Sequence, residues 1–458
     1  MNLKNIFLSI LVISLINACK VTQQYTQPAN ATNNNLYRGA STADSTTIAN
    51  ISWKEMFTDN LLQSLIQEGI NNNLDLKIAV ARLKTANANV KQSKLALLPS
   101  ADANAVAAFQ RVPSTQFGVP QAYELFISSS WEADIWGKLS SAKRAALASL
   151  LQSDAYKRAV QTQLVADIAT NYYLLMAYDA QLQVTLQTVE NRKQEVETMK
   201  TLKESDVVTG AAVVQSAANR YSVEITIPDL KQNIRETENA LSILLGRSPD
   251  SISRSSLEQQ VVTSNLATGV PAQLLANRPD VQEAEFQLRN SFEQINIART
   301  YFYPALTITG QAGLSGTAIA QIFNPTTFFA NLTAGLLQPI FDKGINRQRL
   351  TTAQANQEEY LADFKKTILA AGQEVSNALY SYQAAKDKEG LRGQQINYLQ
   401  KSVEYTKELL KYSSATNYTD VLTSEQALLA AQLSSVNDKL QQLTAVVNLY
   451  RSLGGGWK

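Results

Sequence analysis

Histidine is absent from the sequence, and cysteine occurs once among 458 residues. Without histidine there can be no histidine-based metal site and no nucleophile activated by a histidine base. A single cysteine excludes an intrachain disulfide. Most enzyme classes therefore lack their usual catalytic residues here, and we expect no enzymatic activity and no cofactor or metal site.

Glycine and proline are scarce for a chain of this length, with 18 and 11 residues. Because most turns need one of these residues, the chain should consist of long elements with few connections. Charge is nearly balanced, with 41 basic and 39 acidic residues, and no basic face dominates. The composition therefore gives no indication of a nucleic-acid partner.

The one cysteine follows a segment with the layout of a secretory signal. Lys4 is positive, Ile6 to Ile16 is apolar apart from serines, and small or apolar residues precede Cys19. This layout resembles the bacterial lipobox, so we interpret residues 1–18 as a signal peptide and Cys19 as a lipidation site. An ordinary signal peptide with an incidental cysteine is the alternative. Residues 19–52 should then form a mobile, lipidated N-terminal tether.

Three landmarks recur in the same order at nearly the same spacing. They are Pro99 with Pro304 (205 residues apart), Trp136 with Phe341 (205) and Gly246 with Gly454 (208). We interpret the chain as a tandem duplication, with a first repeat at 53–250, a linker at 251–270 and a second repeat at 271–458.

Each repeat begins with a helix that a proline ends, followed by two strand-like runs. The predicted strands are residues 100–110 and 123–135 in the first repeat, and 305–314 and 328–340 in the second. Runs of about ten residues suit tilted strands that cross a bilayer. Periodicity alone leaves open whether they are barrel strands or soluble hairpins.

A very long helical segment follows each pair of strands. Residues 140–206 contain no proline or glycine, and apolar residues recur at intervals of seven. Such a pattern predicts a helix roughly 100 Å long that packs against other helices. The second repeat has a similar segment at 346–413, interrupted by Gly372, Gly390 and Gly393. Both segments turn back, near Gly210 and Asn417. A coiled-coil scaffold without any site is the simpler alternative.

Five segments carry a resemblance to a known family. In chain order they are "SWEADIWGK", "NRPDVQEAE", "FYPALTITG", "LLQPIFDKG" and "YTDVLTSEQALLAAQ". Together they resemble the TolC-like outer-membrane factors, and most closely the lipoproteins that serve resistance-type pumps. The resemblance runs from about Trp53 to Leu453.

The resemblance implies a mainly α-helical fold with a membrane β-barrel. Three chains would share a 12-stranded barrel, continued by an α-helical periplasmic tunnel. The protein would be a passive trimeric conduit in the outer membrane, lipid-anchored and membrane-spanning. It would carry substrates from an inner-membrane pump and a periplasmic membrane-fusion protein to the exterior, docking through the hairpin tips near 207–214 and 412–421. The alternative is a periplasmic coiled-coil adaptor or scaffold lipoprotein without a pore.

The resemblance also implies a periplasmic gate. Asp420 occupies the position of a family aspartate that helps to narrow the tunnel, and three copies would form a carboxylate ring that favours cations. Glu425 would assist this ring. Thr423 stands where some relatives carry a second aspartate, and Ala212 stands at the matching place in the first repeat, so the gate should be a weak one. Asp420 could equally cap the returning helix, and both roles can hold.

Aromatic residues gather at the predicted junctions between strands and helices. They are Tyr301, Phe302, Tyr303, Trp131, Trp136 and Phe341. In a membrane barrel, this is the position of an aromatic belt at the membrane interface. In a soluble protein the same residues would belong to the core.

Overall fold

Long helices and one small antiparallel sheet make up the computed structural model of the chain. It describes residues 21–28, 36–38, 46–109, 121–261, 267–269, 271–412 and 417–458. The predicted signal peptide and the predicted lipidation site at Cys19 lie outside these described residues.

Ten helices and four strands are described in these ranges. The helices are α1 (Trp53–Met56), α2 (Asn60–Asn72), α3 (Leu74–Leu95), α4 (Lys138–Glu204), α5 (Gly210–Glu224), α6 (Thr226–Leu244), α7 (Leu274–Asn277), α8 (Pro279–Thr300), α9 (Ile345–Tyr412) and α10 (Tyr418–Ser452). The strands are β1 (Ser100–Phe109), β2 (Gln121–Ala133), β3 (Ala305–Gly316) and β4 (Phe328–Leu337). None of the described helices is both long and apolar enough to cross a bilayer.

The predicted order of helix, strand pair and long helical hairpin is confirmed in both repeats. Helices α3 and α8 each end four residues before the proline that precedes a strand, at Leu95 and Thr300. Two predicted helices are interrupted, however, at Asn73 and at Ile225. Strand β4 ends at Leu337, three residues earlier than predicted, since Pro339 has no N–H group for a strand ladder.

The long helices α4 and α9 contain 67 and 68 residues. Four of the five apolar residues that recur at intervals of seven in α4 are buried, namely Ile168, Leu175, Val189 and Val196. Asp134 starts α4, because its carboxylate accepts hydrogen bonds from the N–H groups of Leu139 and Ser140, both at 2.8 Å. The heptad pattern therefore marks the face that α4 buries against other helices.

Residues of the chain group into two compact units. One contains residues 1–29, 81–154 and 283–365 and holds the sheet; the other contains residues 30–80, 155–282 and 366–458 and holds the helical hairpins. Each unit combines segments of both repeats.

Equivalent positions of the two repeats make equivalent contacts where each helical hairpin ends. Asn73 donates a hydrogen bond to the carbonyl oxygen of Leu244 at 2.9 Å, and Arg278 donates one to that of Ser452 at 2.9 Å. Asn73 and Arg278 lie 205 residues apart. In both repeats a side chain that precedes a helix thus satisfies a carbonyl group at another helix's end.

A glycine with positive φ follows each of these helix ends. They are Gly246 (φ 70°) and Gly454 (φ 94°). A Cβ atom would lie 2.5 Å from the Asn72 carbonyl oxygen at the first position, and 2.4 Å from that of Asn277 at the second. At both positions glycine is required for two reasons: the backbone is in the left-handed conformation, and a neighbouring backbone segment leaves no space for a Cβ atom.

Several described residues of the predicted N-terminal tether make contacts with the rest of the chain. Gln23 and the Asn296 side chain exchange two hydrogen bonds, at 3.0 and 2.9 Å, and the ring of Tyr25 meets that of Phe292 edge-on. Tyr37 and Ile48 are buried. Hydrogen bonds and aromatic burial offset part of the entropy lost when these residues are ordered, while a mobile tether stays a prediction for the segment as a whole.

Candidate functional site

The register of the sheet assigns each strand side chain to one of two faces. The strands pair antiparallel in the order β1-β2-β3-β4. Successive side chains alternate between faces, and residues directly opposite each other share a face. One face, called the apolar face below, is formed mainly by Ala101, Ala103, Ala105, Ala107, Leu125, Ile127, Trp131, Leu306, Ile308, Ala312, Leu314, Phe328, Ala330, Leu332, Ala334 and Leu336.

The opposite face, called the polar face, carries carboxylate, amide and hydroxyl groups. Its members include Asp102, Asn104, Glu124, Ser128, Ser130, Glu132, Thr307, Thr309, Gln311, Ser315, Asn331 and Thr333. Asn104 donates a hydrogen bond to the Ser128 hydroxyl across β1 and β2, at 2.8 Å. A sheet with one apolar and one polar face is what a barrel wall between lipid and water requires.

The apolar face has little cover within one chain. Leu332, in the middle of β4, is 79% exposed, and Phe328, Leu336 and Ile127 are also exposed. Soluble proteins rarely expose apolar patches of this extent. The exposure therefore favours barrel strands over the soluble hairpins that periodicity left open.

The two outer strands leave backbone groups without a partner strand. Within the described residues, β1 pairs only with β2, and β4 pairs only with β3. An unpaired strand edge costs several kcal/mol for each unsatisfied group in a bilayer, because no water is present there. One chain by itself is thus an incomplete barrel wall.

Four of the six predicted interface aromatics lie at the end of the sheet where strands give way to helices. The indole N–H of Trp136 donates to the Pro304 carbonyl oxygen at 2.8 Å, and its ring lies 4.9 Å from that of Tyr303. Trp131 donates to the carbonyl oxygen of Leu97 at 3.0 Å. Such rings, with an apolar body and a bonded polar atom, suit a membrane interface.

Tyr301 lies between two cations at the same junction. The Lys138 ammonium is 5.1 Å and the Arg349 guanidinium 4.5 Å from the centre of its ring. A cavity of about 280 Å³ is lined by these groups together with Trp136 and Tyr303. Of the two remaining aromatics, Phe302 is 41% exposed and Phe341 is 85% exposed.

Asp420, the predicted gate residue, lies in the first turn of α10. Its carboxylate accepts a hydrogen bond from the Asn417 N–H group at 3.1 Å, and the Asn417 side chain accepts from the N–H groups of Thr419 and Asp420. This reciprocal arrangement is a capping box. The capping role considered from the sequence is therefore observed, and Asp420 is exposed.

Glu425 has a different environment from Asp420. Its side chain is 11% exposed and forms ion pairs with Arg192 at 2.7 Å and with Lys407 at 2.5 Å. Arg192 also lies 3.5 Å from the carboxylate of Glu195. These four residues, called the charged cluster below, come from α4, α9 and α10, and so join the first helical hairpin to the second.

Two carboxylates of the charged cluster share one buried arginine. Burial and the nearby charge of Glu425 raise the pKa of Glu195 to about 7, and the Arg192 guanidinium opposes that rise only in part. Neither carboxylate oxygen of Glu195 has a hydrogen-bond partner with good geometry. A cavity of about 660 Å³ adjoins Arg192, Lys407 and Glu425.

Arg192, Glu195 and Lys407 were not among the residues selected from the sequence. Charged residues on a long polar helix are usually solvated, and nothing in the charge pattern distinguishes these three residues from their solvated neighbours. One signal was available, since Arg192 lies three residues after Val189 and four before Val196, both buried at heptad positions. That spacing places Arg192 on the buried side of α4. Among the described residues there is no group of side chains that could hold a metal ion.

Comparisons with known proteins agree with this geometry. The profile of the outer membrane efflux protein family matches residues 65–247 and 270–455. A probable efflux pump outer membrane protein of Pseudomonas putida, SepC, is 28% identical, with 99% of this chain and 98% of SepC covered. The cation efflux system protein CusC of Escherichia coli is 26% identical, with 89% of both chains covered.

Two solved structures have the same fold. The outer-membrane channel OprN superposes with a TM-score of 0.89 at 23% identity, covering 96% of this chain and 100% of OprN. The open state of the MtrE outer membrane channel of Neisseria gonorrhoeae gives a TM-score of 0.86 at 22% identity, covering 96% and 99%. The fold and the two-faced sheet define an outer-membrane channel. The chain belongs to the outer membrane efflux protein family.

Membership in this family confirms the function predicted from the sequence. The protein is an outer-membrane channel of a tripartite efflux system, a passive conduit and not an enzyme. Nothing in the comparisons favours the periplasmic adaptor considered as an alternative.

Proposed function

We propose that three copies of this chain close a 12-stranded barrel in the outer membrane. The observation that carries the proposal is the sheet itself, which has a continuous apolar face, a polar face and two unpaired edges. Four strands are too few to enclose a water-filled pore, and open edges are not tolerated in lipid. The apolar face would meet lipid, the polar face would line water, and the aromatics at the junction would lie at the membrane interface.

The N-terminal assignments belong to the same proposal. Residues 1–18 would be removed as a signal peptide, and Cys19 would carry the lipid that anchors each chain. The tandem repeats at 53–250 and 271–458 would each supply one strand pair to the barrel.

The turns of the helical hairpins would dock the periplasmic membrane-fusion protein, and through it the inner-membrane pump. Val207, Val214 and Tyr412 are exposed near these turns. Exposed apolar residues at a turn are a typical feature of an interaction surface. Part of the second predicted tip, 413–416, lies outside the described residues.

The cargo would be chosen elsewhere in the assembly. Relatives of similar identity carry different names, a toluene efflux pump protein (TtgF) at 28% and a cation efflux system protein (CusC) at 26%. We infer that the channel admits whatever the pump delivers.

Two groups would control the periplasmic end. Asp420 of each chain would contribute to a carboxylate ring that favours cations. Glu425 would act through the charged cluster, since its carboxylate is paired with Arg192 and Lys407 between helices. Opening would then require the two helical hairpins to separate at that cluster.

Recording from planar bilayers tests the channel and the ring together. The purified protein should give cation-selective conductance. Asp420→Asn should lower cation selectivity by about twofold or more, because the amide keeps an acceptor for the helix cap but has no charge. Thr419→Asn, at the neighbouring exposed position, is the control and should leave selectivity unchanged.

Each failure has a separate meaning in these recordings. A monomer in detergent without any conductance would refute the trimeric channel. A conducting trimer in which Asp420→Asn keeps its cation selectivity would refute only the ring.

A further inference from the structure

Basic side chains gather where the helices meet the sheet. Residues 91–99, 132–144, 293–304 and 338–350 surround the helical ends of the four strands, and they contain nine basic and four acidic residues. The whole chain has 41 basic and 39 acidic residues. The positive charge of the chain is therefore concentrated at this junction, and acidic residues elsewhere balance it.

The four acidic residues at the junction are engaged within the chain, two in ion pairs and two in helix caps. The ion pairs are Lys138–Glu132 (3.0 Å) and Arg144–Glu293 (2.7 Å), and the caps are Asp134 of α4 and Asp342 of α9. Five exposed basic residues at the junction form no ion pair with a described carboxylate. They are Lys91, Lys94, Lys343, Arg347 and Arg349, called the basic belt below.

Contacts with Tyr301 fix the position of the belt relative to the sheet. The Arg349 guanidinium lies over the ring of Tyr301, and the side chain of Asn346 donates a hydrogen bond to the Tyr301 carbonyl oxygen at 3.0 Å. Arg349 is thus held near the start of β3, although it follows the end of β4 by 12 residues. Lys94 and Lys343 are each six residues from a strand end, within reach of the same level for a long side chain.

We propose that the basic belt binds the headgroups of anionic phospholipids in the periplasmic leaflet of the outer membrane. This inference rests on the proposed function, which places the apolar face in lipid and the aromatic junction at the interface. The lipid phosphate would accept hydrogen bonds from the lysine and arginine side chains. The acyl chains of the same lipid would lie on the apolar face, which begins directly beside the belt.

The distribution of the belt along the chain adds a second reason for a bound anion. Lys91 and Lys94 precede β1, whereas Lys343, Arg347 and Arg349 follow β4, so the belt belongs to the two outer strands of the sheet. Closing the barrel as proposed would bring these two groups together from neighbouring copies. Like charges that approach each other repel, and an anionic headgroup between them removes that repulsion.

Tryptophan fluorescence in vesicles measures this lipid preference, because Trp131 and Trp136 lie at the junction. The protein is reconstituted in equal mixtures of phosphatidylglycerol and phosphatidylcholine, with bromine on the acyl chains of one lipid or of the other. Bromine quenches only the rings that it approaches, so the two samples report which lipid is enriched beside the junction. Phosphatidylglycerol should be enriched about fivefold, the factor that one cation beside an anionic headgroup supplies.

Four neutral substitutions together remove most of the belt. The combined variant Lys91→Gln, Lys94→Gln, Lys343→Gln and Arg347→Gln should fold, because these exposed side chains make no hydrogen bond or ion pair within the described part of the chain. Arg349 is kept because it contacts Tyr301. In this variant the enrichment should fall to about twofold or less.

The matched control makes the same change of charge in the compact unit that does not hold the sheet. It combines Lys231→Gln, Arg235→Gln, Lys386→Gln and Lys401→Gln, which are exposed positions without an ion pair among the described residues. This variant should keep the full enrichment. In 1 M salt, where charges are screened beyond about 3 Å, the unmodified protein should lose most of its preference.

Conductance recorded from the same preparation separates the lipid site from the channel. A conducting trimer that both lipids quench equally would overturn the lipid site and leave the channel standing. An enrichment that survives the belt variant, or that the control variant lowers equally, would also overturn the site, because the attraction would then not come from the belt. A protein that neither conducts nor is quenched by either lipid would overturn the proposed function as well.

Discussion

Replacing Arg192 with methionine should loosen the packing of the two helical hairpins more than any other single change in the charged cluster. Arg192 is nearly fully buried and lies near two carboxylates, that of the buried Glu195 at 3.5 Å and that of the largely buried Glu425 at 2.7 Å. Removing one partner of a buried ion pair costs about 3–5 kcal/mol. Local opening should therefore become more frequent by a factor of about 100 or more.

Hydrogen exchange of the backbone amides in the C-terminal part of α4 measures this opening. The acceleration should be larger at pH 8 than near pH 5, because the Glu195 carboxyl, with its raised pKa, is charged to a greater extent at the higher pH and has lost its arginine. Arg220→Met is the control, because Arg220 pairs with a partly exposed glutamate four residues along its own helix, an interaction worth about 1 kcal/mol or less.

The stability of the unmodified protein should also decrease as the pH rises. Glu195 has a pKa of about 7 in the folded chain and about 4.5 in its ordinary state. Between these values the folded chain holds a proton that the unfolded chain has lost, so stability falls as pH rises through this range. Glu195→Gln should remove most of that dependence. Unchanged exchange in Arg192→Met at pH 8 would contradict the assigned role of the cluster.

Much of the architecture could be predicted from the sequence because its signals are local. Pro99 and Pro304 end helices by steric exclusion whatever lies around them, and the absence of glycine and proline in 140–204 leaves little alternative to one long helix. The interruption at Asn73 could not be predicted this way. There the side chain of Asn73 both caps α3 and bonds the Leu244 carbonyl, a contact across 171 positions.

The amino-acid composition of β1 was insufficient to predict which of its side chains lie on the apolar face of the sheet. Residues 101–108 alternate alanine with aspartate, asparagine, valine and alanine, so the apolar pattern is weak. Pairing resolves the ambiguity, because Ala103 and Ala105 lie opposite Ile127 and Leu125. A strand of small residues thus takes its orientation from its neighbour.

The sequence also could not predict which of the candidate gate residues is buried. Asp420 and Glu425 both lie on α10 and differ by five positions, yet one is exposed in a capping box and the other is buried between charges. The difference depends on Arg192 and Lys407, which come from two other helices. Only the packing of α4, α9 and α10 shows that the two carboxylates serve different purposes.

Placing an arginine at Leu332 should prevent most of the protein from reaching its barrel state. Leu332 lies in the middle of β4 on the apolar face and is 79% exposed in one chain. An arginine on the lipid-facing side of a barrel strand costs about 2–4 kcal/mol near the bilayer midplane. Because every chain of the proposed trimer carries the change, that cost applies three times in one barrel. Heat-resistant trimer in isolated outer membranes should therefore be nearly absent.

Thr333→Arg is the matched control, since it introduces the same residue one position further along the same strand. Thr333 lies on the polar face opposite Thr309, where an arginine would extend into water. This variant should assemble close to the unmodified level, and its added positive charge should reduce cation conductance. If Leu332→Arg assembled normally while Thr333→Arg did not, the two faces would be assigned the wrong way round. If both assembled normally, the sheet would not lie in the membrane, because only a lipid environment penalises one face and spares the other.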